Sequence, residues 1–239
     1  MRAHMGLEVA DSCTECASRF NKLFCNLPVE ALRNLDEIKY TTSFPKGAVL
    51  FFEGQSPRGV FVVCRGRIKL STSSSEGKAL ITQIASEGDL IGLSATVAGK
   101  PYEVTAEALE PCTVNFVRRD DFLRFLTEHA QACFKVAQHL GNDYQAAFDK
   151  ARTLGLSSSA AEKLARLMLD WIERDGKPNQ TDIQLRLTLT HEEIAQMINT
   201  SRETVTRLLS DFKTDDIIQI KGARLLVRDK HALESLVRS

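Results

Sequence analysis

The chain has 239 residues, of which 43% are hydrophobic and 26% charged, and its 31 basic residues balance its 31 acidic residues. This length is enough for one large or two small domains, each with its own core. No apolar stretch approaches the roughly 18 residues that a membrane span needs, and the N-terminus lacks the apolar segment of a secretory signal. We therefore expect a soluble, cytoplasmic protein without a membrane partner, and exclude a uniformly basic coat protein and a disordered chain.

Residues 1–27 form an arm that contains three of the six cysteines. Cys13, Cys16 and Cys25 have the spacing Cys-x2-Cys-x8-Cys. In a reducing cytoplasm, a clustered Cys-x-x-Cys is more often a metal or redox site than a disulfide. The arm is therefore predicted to carry metal or thiol chemistry.

Residues 28–119 are predicted to fold as one helix followed by short strands. Apolar residues recur at helical spacing in Pro28–Lys39, with proline at the start. Beyond Thr41, runs of β-branched or aromatic residues alternate with glycine-containing turns. The predicted strands are Val49–Phe52, Val60–Val63, Arg67–Ser71, Ala79–Ile84, Glu103–Ala108 and Thr113–Val117. Strands this short and regularly interrupted are typical of a small β-barrel or jelly roll.

Residues 120–155 are predicted to form one long helix, capped by Asp120 or Asp121 and ending near Leu154. Apolar or small residues recur every seven positions in two rows offset by four. These rows are Leu126, Cys133, Leu140, Ala147 and Leu154, and Ala130, Ala137, Tyr144 and Ala151. Such a seam predicts pairing with a second copy of the helix; the alternative is that the helix packs only on the barrel.

Residues 156–239 are predicted to form a winged helix-turn-helix domain. A polar hinge, Leu156–Ala160, precedes an amphipathic helix over Ala161–Arg174. Further on, Thr190 and Ser201 are suited to cap two short helices separated by a tight turn, and Glu193 completes a capping box with Thr190. A strand, a tight turn and a strand follow over residues 217–227, as in a winged domain.

The second of these helices presents polar residues at its N-terminal end, the end that enters a major groove. They are Ser201, Arg202, Glu203, Thr206 and Arg207. An arginine can donate two hydrogen bonds to guanine, and a glutamate can accept one from cytosine. The alternative interpretation is an exposed helix with an ion pair.

The segment Ser201–Leu209 (SRETVTRLL) closely resembles the recognition helix of the CRP/FNR family of bacterial transcription regulators. The Gly88–Gly92 turn (GDLIG), the seam helix and the winged helix follow in the family's order over nearly the whole chain. Leu35–Tyr40 (LDEIKY) and the preceding cysteines look most like the oxygen-sensing FNR branch. The resemblance implies an α+β fold: an N-terminal cyclic-nucleotide-binding-like β-barrel (jelly roll), a long dimerisation helix and a C-terminal winged helix-turn-helix.

The resemblance also implies the partners. Arg202, Glu203 and Arg207 would read bases in a double-stranded palindrome with TGTGA-like half-sites, and the homodimer would act on RNA polymerase. The FNR branch usually has an apolar residue in place of Arg202. This sequence therefore combines an FNR-like sensor with a CRP-like reading head, the name we give to the base-reading residues Arg202, Glu203 and Arg207 and their helix.

In the family's cAMP-binding members, a glutamate after the Gly-Asp-x-x-Gly turn holds the ribose and an Arg-Ser pair holds the phosphate. Here Leu93 and Ser94 follow the turn, and Tyr102-Glu103 replace Arg-Ser. Because Glu103 would repel a phosphate, we expect no cAMP binding. The barrel is then an empty scaffold or takes a different, small effector.

For the arm, the resemblance implies a [4Fe–4S] cluster on Cys13, Cys16 and Cys25, with zinc or a metal-free thiol sensor as alternatives. Such a cluster usually has four cysteine ligands. The family's fourth cysteine corresponds to about Asn115 in this chain. Cys112, three residues earlier and on the other strand face, is our predicted fourth ligand.

Cys64 or a carboxylate remains an alternative for that fourth position, and Cys133 is expected to pack in the seam.

The sequence shows no nucleophile–base constellation, no phosphate-binding glycine loop and no paired carboxylates, so we do not expect an enzyme.

Overall fold

The computed structural model describes residues 12–16, 19, 22, 24–156, 159–179 and 182–238. The chain divides into two compact units, Met1–Ala146 and Ala147–Ser239. Residues 1–11 of the predicted arm and residues 157–158 of the predicted hinge lie outside the described residues.

The first unit contains helices at both ends and strands between them. Its elements are α1 (Val29–Ile38), β1 (Lys39–Phe44), β2 (Val49–Phe51), β3 (Gly59–Arg65), β4 (Ile68–Ser73), β5 (Ala79–Ala85), β6 (Leu90–Ile91), α2 (Leu93–Ala98), β7 (Thr105–Ala108), β8 (Cys112–Arg118), α3 (Arg119–Glu128) and α4 (Ala130–Leu156), the last of which ends in the second unit. The strands form two four-stranded sheets, in the orders β1-β8-β3-β6 and β2-β7-β4-β5, and all their pairings are antiparallel. This arrangement confirms the predicted jelly-roll architecture.

Strands β1 and β6 and helix α2 were not predicted from the sequence. β1 pairs with β8 alone and leaves three consecutive side chains in solvent, so it shows no hydrophobic alternation. β6 has only two residues. Neither strand therefore carries a pattern from which it could be recognised.

Strand β3 is buried on both faces because it separates two hydrophobic cores. Its odd-numbered Phe61 and Val63 face the core between the two sheets, which we call the inter-sheet core. Its even-numbered Val60 and Val62 face a second core, which we call the arm core. The arm core is built from the arm, α1, β3, β6, α2, β8, α3 and α4; its buried members are Phe24, Leu27, Ala31, Leu32, Leu35, Val60, Val62, Leu90, Leu93, Val117, Phe122, Phe125, Ala132 and Val136.

The predicted long helix over 120–155 is wrong in two respects. Its N-cap is Arg118, so that Asp120 and Asp121 lie in the first turn and do not cap it, and the helix is interrupted at His129. That residue has φ −123° and ψ 87°, outside the helical region, and separates α3 from α4. Its ring packs against Phe125, with the ring centroids 4.8 Å apart. No glycine or proline marks the break, so the seam pattern runs across it.

The second unit contains α5 (Ala160–Asp175), β9 (Lys177–Asn179), β10 (Asp182–Arg186), α6 (His191–Ile198), α7 (Arg202–Thr214), β11 (Ile218–Lys221), β12 (Arg224–Val227) and α8 (Lys230–Arg238). Its antiparallel sheet has the order β11-β12-β10-β9. The predicted hairpin is thus confirmed as β11–β12, while β9, β10 and α8 were not predicted. None of the helices in the described ranges is long and apolar enough to span a bilayer.

Candidate DNA-reading head and thiol site

The two short helices of the second unit begin at the predicted caps. The Thr190 side chain accepts a hydrogen bond from the Glu193 backbone N–H, and the Glu193 carboxylate accepts one from the Thr190 N–H at 2.8 Å, which completes the capping box of α6. The Ser201 hydroxyl caps α7 by accepting from the Thr204 N–H at 3.2 Å. Each cap satisfies an otherwise unpaired N–H of the first turn, so the turn between the helices has fixed ends.

Helix α7 has a buried and an exposed face. Its buried residues are Val205, Leu208, Leu209 and Phe212. The five predicted DNA-reading residues are all exposed, namely Ser201, Arg202, Glu203, Thr206 and Arg207. The packing of α7 therefore leaves these side chains available to a ligand.

The sequence analysis overlooked His191, the first residue of α6. Its ring nitrogen Nδ1 lies 2.8 Å from the Thr206 hydroxyl, which also donates to the Arg202 carbonyl at 2.9 Å. His191 thus holds a side chain of the exposed α7 face. No local sequence signal marks it, because the contact joins two helices.

In the first unit, the arm is attached to α1 through Cys13. Asp36 of α1 accepts hydrogen bonds from the Cys13 backbone N–H at 2.9 Å and from the Ser12 hydroxyl at 2.6 Å. Lys39 pairs with the same carboxylate at 2.5 Å. Although burial opposes ionisation of Asp36, the hydrogen bonds from Lys39, Ser12 and Cys13 lower its pKa, so the carboxylate stays charged as an anchor for the arm.

The sulfur of Cys13 is surrounded by hydrogen-bond donors. The Lys39 ammonium lies 3.4 Å from Cys13 Sγ, and the Asn115 side-chain amide donates to Cys13 Sγ at 3.7 Å. Thr41 fixes the orientation of Asn115 by donating to its Oδ1 at 2.7 Å. Burial nevertheless raises the pKa of the Cys13 thiol to about 11, although the neighbouring Lys39 cation favours the thiolate.

Three cysteines of the arm and Cys64 of β3 affect one another electrostatically. Burial raises the pKa of the Cys25 thiol to about 12, and Cys13 and Cys16 add to that rise. Burial likewise raises the pKa of Cys64 to about 12, and Cys13, Cys25 and Cys16 contribute to it while Lys39 opposes it. The charges of Cys13 and Cys16 therefore act on Cys25, and those of all three arm cysteines act on Cys64.

Cys112 lies elsewhere. It is fully buried in the inter-sheet core, where its thiol donates to the carbonyls of Arg67 at 3.3 Å and Glu110 at 3.0 Å. Position 112 faces the opposite side of β8 from Asn115, which contacts Cys13. The structure does not bring our predicted fourth ligand to the arm, and it places Cys133 exposed on α4.

The donor chemistry of the arm suits an iron–sulfur cluster. Thiolates are the ligands that such clusters use, and Cys13 and Cys25 pack against the apolar arm core. Among the described residues, no three His, Cys, Asp or Glu side chains already converge at the separation of a single bound ion.

Tyr102, which the family resemblance places opposite the phosphate-binding pair of the cAMP-binding members, is buried. Its ring stacks on Phe51 with a centroid distance of 4.0 Å, and its hydroxyl donates to the Gly59 carbonyl at 2.8 Å. The neighbouring Glu103 is exposed and accepts a hydrogen bond from Ser94 at 2.9 Å. Tyr102 is thus part of the inter-sheet core, and Glu103 is an exposed carboxylate.

Helix α4 contacts the barrel through His139, a buried polar residue with 8% exposure. Its Nε2 lies 3.2 Å from both the N–H and the carbonyl oxygen of Leu90 in β6. β6 pairs with β3, whose Val62 is the partner of Leu90. His139 thus joins α4 to the sheet that also carries Cys64.

Comparison with known proteins identifies both units. Residues 41–129 match the cyclic nucleotide-binding domain family, and residues 162–236 match the Crp-like helix-turn-helix domain family. The chain belongs to the CRP/FNR family of transcription regulators. Its relatives bear the names of transcription regulators, and this CRP/FNR protein is a regulator and not an enzyme.

Both branches of the family appear among the relatives. The transcriptional activator protein anr of Pseudomonas aeruginosa is 28% identical over 229 residues, which cover 94% of this chain and 89% of the relative. The CRP-like cAMP-activated global transcriptional regulator of Mycobacterium tuberculosis is 21% identical, with coverage of 90% and 96%. The structure of FixK2 from Bradyrhizobium japonicum superimposes with a TM-score of 0.75 at 22% identity, over 83% of this CRP/FNR chain and 97% of that chain.

The His139 contact gives a direct prediction. We expect His139→Ala to lower the free energy of unfolding by about 1–3 kcal/mol, because it leaves buried polar groups of Leu90 without their partner. Urea denaturation measures the loss, and faster hydrogen exchange of the Leu90 amide locates it. The exposed His231 provides the control, since His231→Ala removes a histidine without touching this contact. Equal midpoints for the two variants would contradict the assignment.

Proposed function

We propose that this CRP/FNR regulator responds to oxygen or redox state through a [4Fe–4S] cluster bound by Cys13, Cys16 and Cys25. The observation that carries the proposal is the common neighbourhood of these thiols beside the arm core. Cys13 and Cys25 pack against that core, and so does Leu140 of α4. A conformational change at Cys13 or Cys25 would therefore shift the arm core, against which Leu140 of α4 also packs.

When bound, such a cluster supplies reactivity toward oxygen, since its sulfides and exposed thiolates are open to oxidation. The chain's own residues hold the arm in place for that event. Asp36 fixes the backbone of Cys13, Lys39 and Asn115 direct donors at its sulfur, and Phe24 buries its ring beside Phe122 at a centroid distance of 6.2 Å. Release of Cys25 from the cluster would therefore displace its sequence neighbour Phe24, which is buried in the arm core.

We further propose that α4 is the dimerisation helix. Its aromatic and aliphatic side chains that face solvent are Phe134, Tyr144, Phe148 and Leu156, with exposures of 62%, 72%, 59% and 78%. The predicted seam residues Cys133, Ala137, Ala147 and Ala151 are exposed as well. A second copy of α4 would remove this apolar surface from water, and the small residues would keep the interface weak enough to regulate.

The paired reading heads would then bind a DNA palindrome with TGTGA-like half-sites, and the family resemblance supplies RNA polymerase as a further partner. A regulator that acts on chromosomal DNA works in the cytoplasm. Because the resemblance puts Tyr102 and Glu103, neither of them a cation, in place of the phosphate-binding pair, we propose that cAMP is not the effector, in contrast to the name of the Mycobacterium tuberculosis relative.

The reading head is tested by substitution on α7. We expect Arg202→Ala and Arg207→Ala each to cost about 1–3 kcal/mol of operator binding and to relax the preference at one guanine. Lys213→Ala, in the last turn of the same helix, is the control. Binding is measured across a set of operators that differ by single bases. If the arginine variants bind all of these operators equally more weakly, the base-reading role is refuted, because that is the effect of losing a phosphate contact.

The cluster is tested by anaerobic purification. We expect brown protein with about four iron and about four sulfide per chain, since four of each make up the proposed cluster. Air should bleach it. Cys16→Ser should abolish the colour, whereas Cys133→Ser should keep it, because Cys133 is exposed on α4 away from the arm.

Colourless protein from a strictly anaerobic preparation, with zinc or no metal, would show that the arm carries no cluster. A small barrel effector or direct thiol oxidation would then be the signal. The DNA-reading assignment is independent of that outcome.

A further inference from the structure

We propose that Cys64 supplies the fourth thiolate of the arm's metal site, alongside Cys13, Cys16 and Cys25. The inference rests on the proposed function, since it names a ligand for the same site. It assigns a role to a cysteine of strand β3, which lies inside the barrel sheet and far from the arm in sequence.

The strand register places Cys64 on the side of the sheet that faces the arm. Val62 is the partner of Asn115 across β3 and β8, and the Asn115 amide contacts Cys13 Sγ at 3.7 Å. Cys64 is two residues beyond Val62, so it shares that face. The register shifts between Val63 and Arg65, which leaves Cys64 at a bulge without a paired partner of its own. Bulges commonly redirect a side chain next to a functional site.

The arm also packs on the turn before β6, which is hydrogen-bonded to β3 next to Cys64. The turn before β6 contains Gly88, whose φ is +88° and whose N–H donates to the Val63 carbonyl at 2.7 Å. A Cβ atom added to Gly88 would lie 2.5 Å from side-chain carbons of Lys22. Lys22 therefore packs on the turn that is hydrogen-bonded to Val63, the neighbour of Cys64.

The other candidates for a fourth ligand are already engaged. Both carboxylate oxygens of Asp36 accept hydrogen bonds, from Ser12, the Cys13 N–H and Lys39. Asn115 directs its N–H at sulfur and its oxygen accepts from Thr41. Cys112 donates to two backbone carbonyls in the inter-sheet core. Among the described residues, the hydrogen-bond partner of Cys64 is the Val62 carbonyl at a long 3.7 Å, and its electrostatic neighbours include all three arm thiols.

A ligand on β3 would give the site a direct connection to α4. β3 pairs with β6 at Val62 and Leu90, and Leu90 contacts His139 of α4. Binding through Cys64 would therefore join the arm to the strand that supports α4, and loss of that bond would free the arm from the sheet.

Cobalt(II) alone tests the ligand set without requiring a cluster, because thiolate-to-cobalt absorbance reports the number of bound thiolates. Metal-free protein, reduced and kept under nitrogen, is titrated with Co²⁺ for the wild type, Cys64→Ser, Cys64→Ala and the control Cys133→Ser. Circular dichroism establishes that each variant is folded. We expect both Cys64 variants to bind Co²⁺ more than about 10-fold more weakly, at least as large an effect as outer-shell substitutions cause, and with lower thiolate absorbance. Cys133→Ser should match the wild type.

Titration curves for both Cys64 variants that coincide with the wild type, while Cys16→Ser loses absorbance, would overturn the assignment of Cys64. Loss of absorbance in the Cys64 variants supports the assignment of Cys64 as a ligand. This holds even if iron and sulfide fail to form a cluster, a result that would contradict only the oxygen-sensing proposal.

A cross-link gives a readout that needs no metal. Diamide accepts the two hydrogens of a thiol pair, which is oxidised to a disulfide as diamide is reduced to its hydrazine. Mass mapping after brief treatment of the metal-free protein should find Cys64 joined to an arm cysteine. Disulfides within the arm only, with Cys64 left as a thiol, would contradict the proposed neighbourhood.

Discussion

The arm core is the constraint on which the rest of the first unit depends. Phe24 and Leu27 from the arm, Leu32 from α1 and Val136 from α4 are buried in the same apolar cluster. Fully burying such a side chain is worth about 1.5–3 kcal/mol, so the arm and α4 are both stabilised by this one core. Because close-packed interiors transmit displacements, the thiol neighbourhood at the edge of this core is well placed to influence α4.

Polar groups determine where the arm attaches. The Asp36 carboxylate satisfies the Cys13 N–H and is paired with Lys39, whose ammonium also reaches the Cys13 sulfur. Burial opposes the charge of Lys39, yet the hydrogen bond and the charge of Asp36 raise its pKa. A positive charge is thus retained beside sulfurs that would be anionic as metal ligands. Metal binding would replace the protons that burial keeps on these thiols, so loading of the site would release protons.

The sequence predicted the features that depend on local pattern. The capping box at Thr190 and Glu193, the exposed residues of α7 and the short strands are local signals, and the structure bears them out. The sequence could name Cys64 as one candidate ligand but could not choose it over Cys112, because the choice depends on a bulge in β3 and on the pairing of residues distant in sequence. The break at His129 could not be predicted either, because no glycine or proline marks it in the sequence.

Operator affinity of one anaerobic sample, measured before and after air, tests the central claim most directly. Fluorescence anisotropy on a labelled palindrome with TGTGA-like half-sites gives the affinity, and analytical ultracentrifugation of the same sample gives the dimer fraction. The account predicts a loss of about 5–150-fold in affinity on exposure to air, the range of coupling energies of 1–3 kcal/mol, together with a fall in dimer fraction. A protein in which Cys13, Cys16 and Cys25 are all serine should show no change. Equal affinity of the wild type under nitrogen and in air would contradict control of DNA binding by the arm.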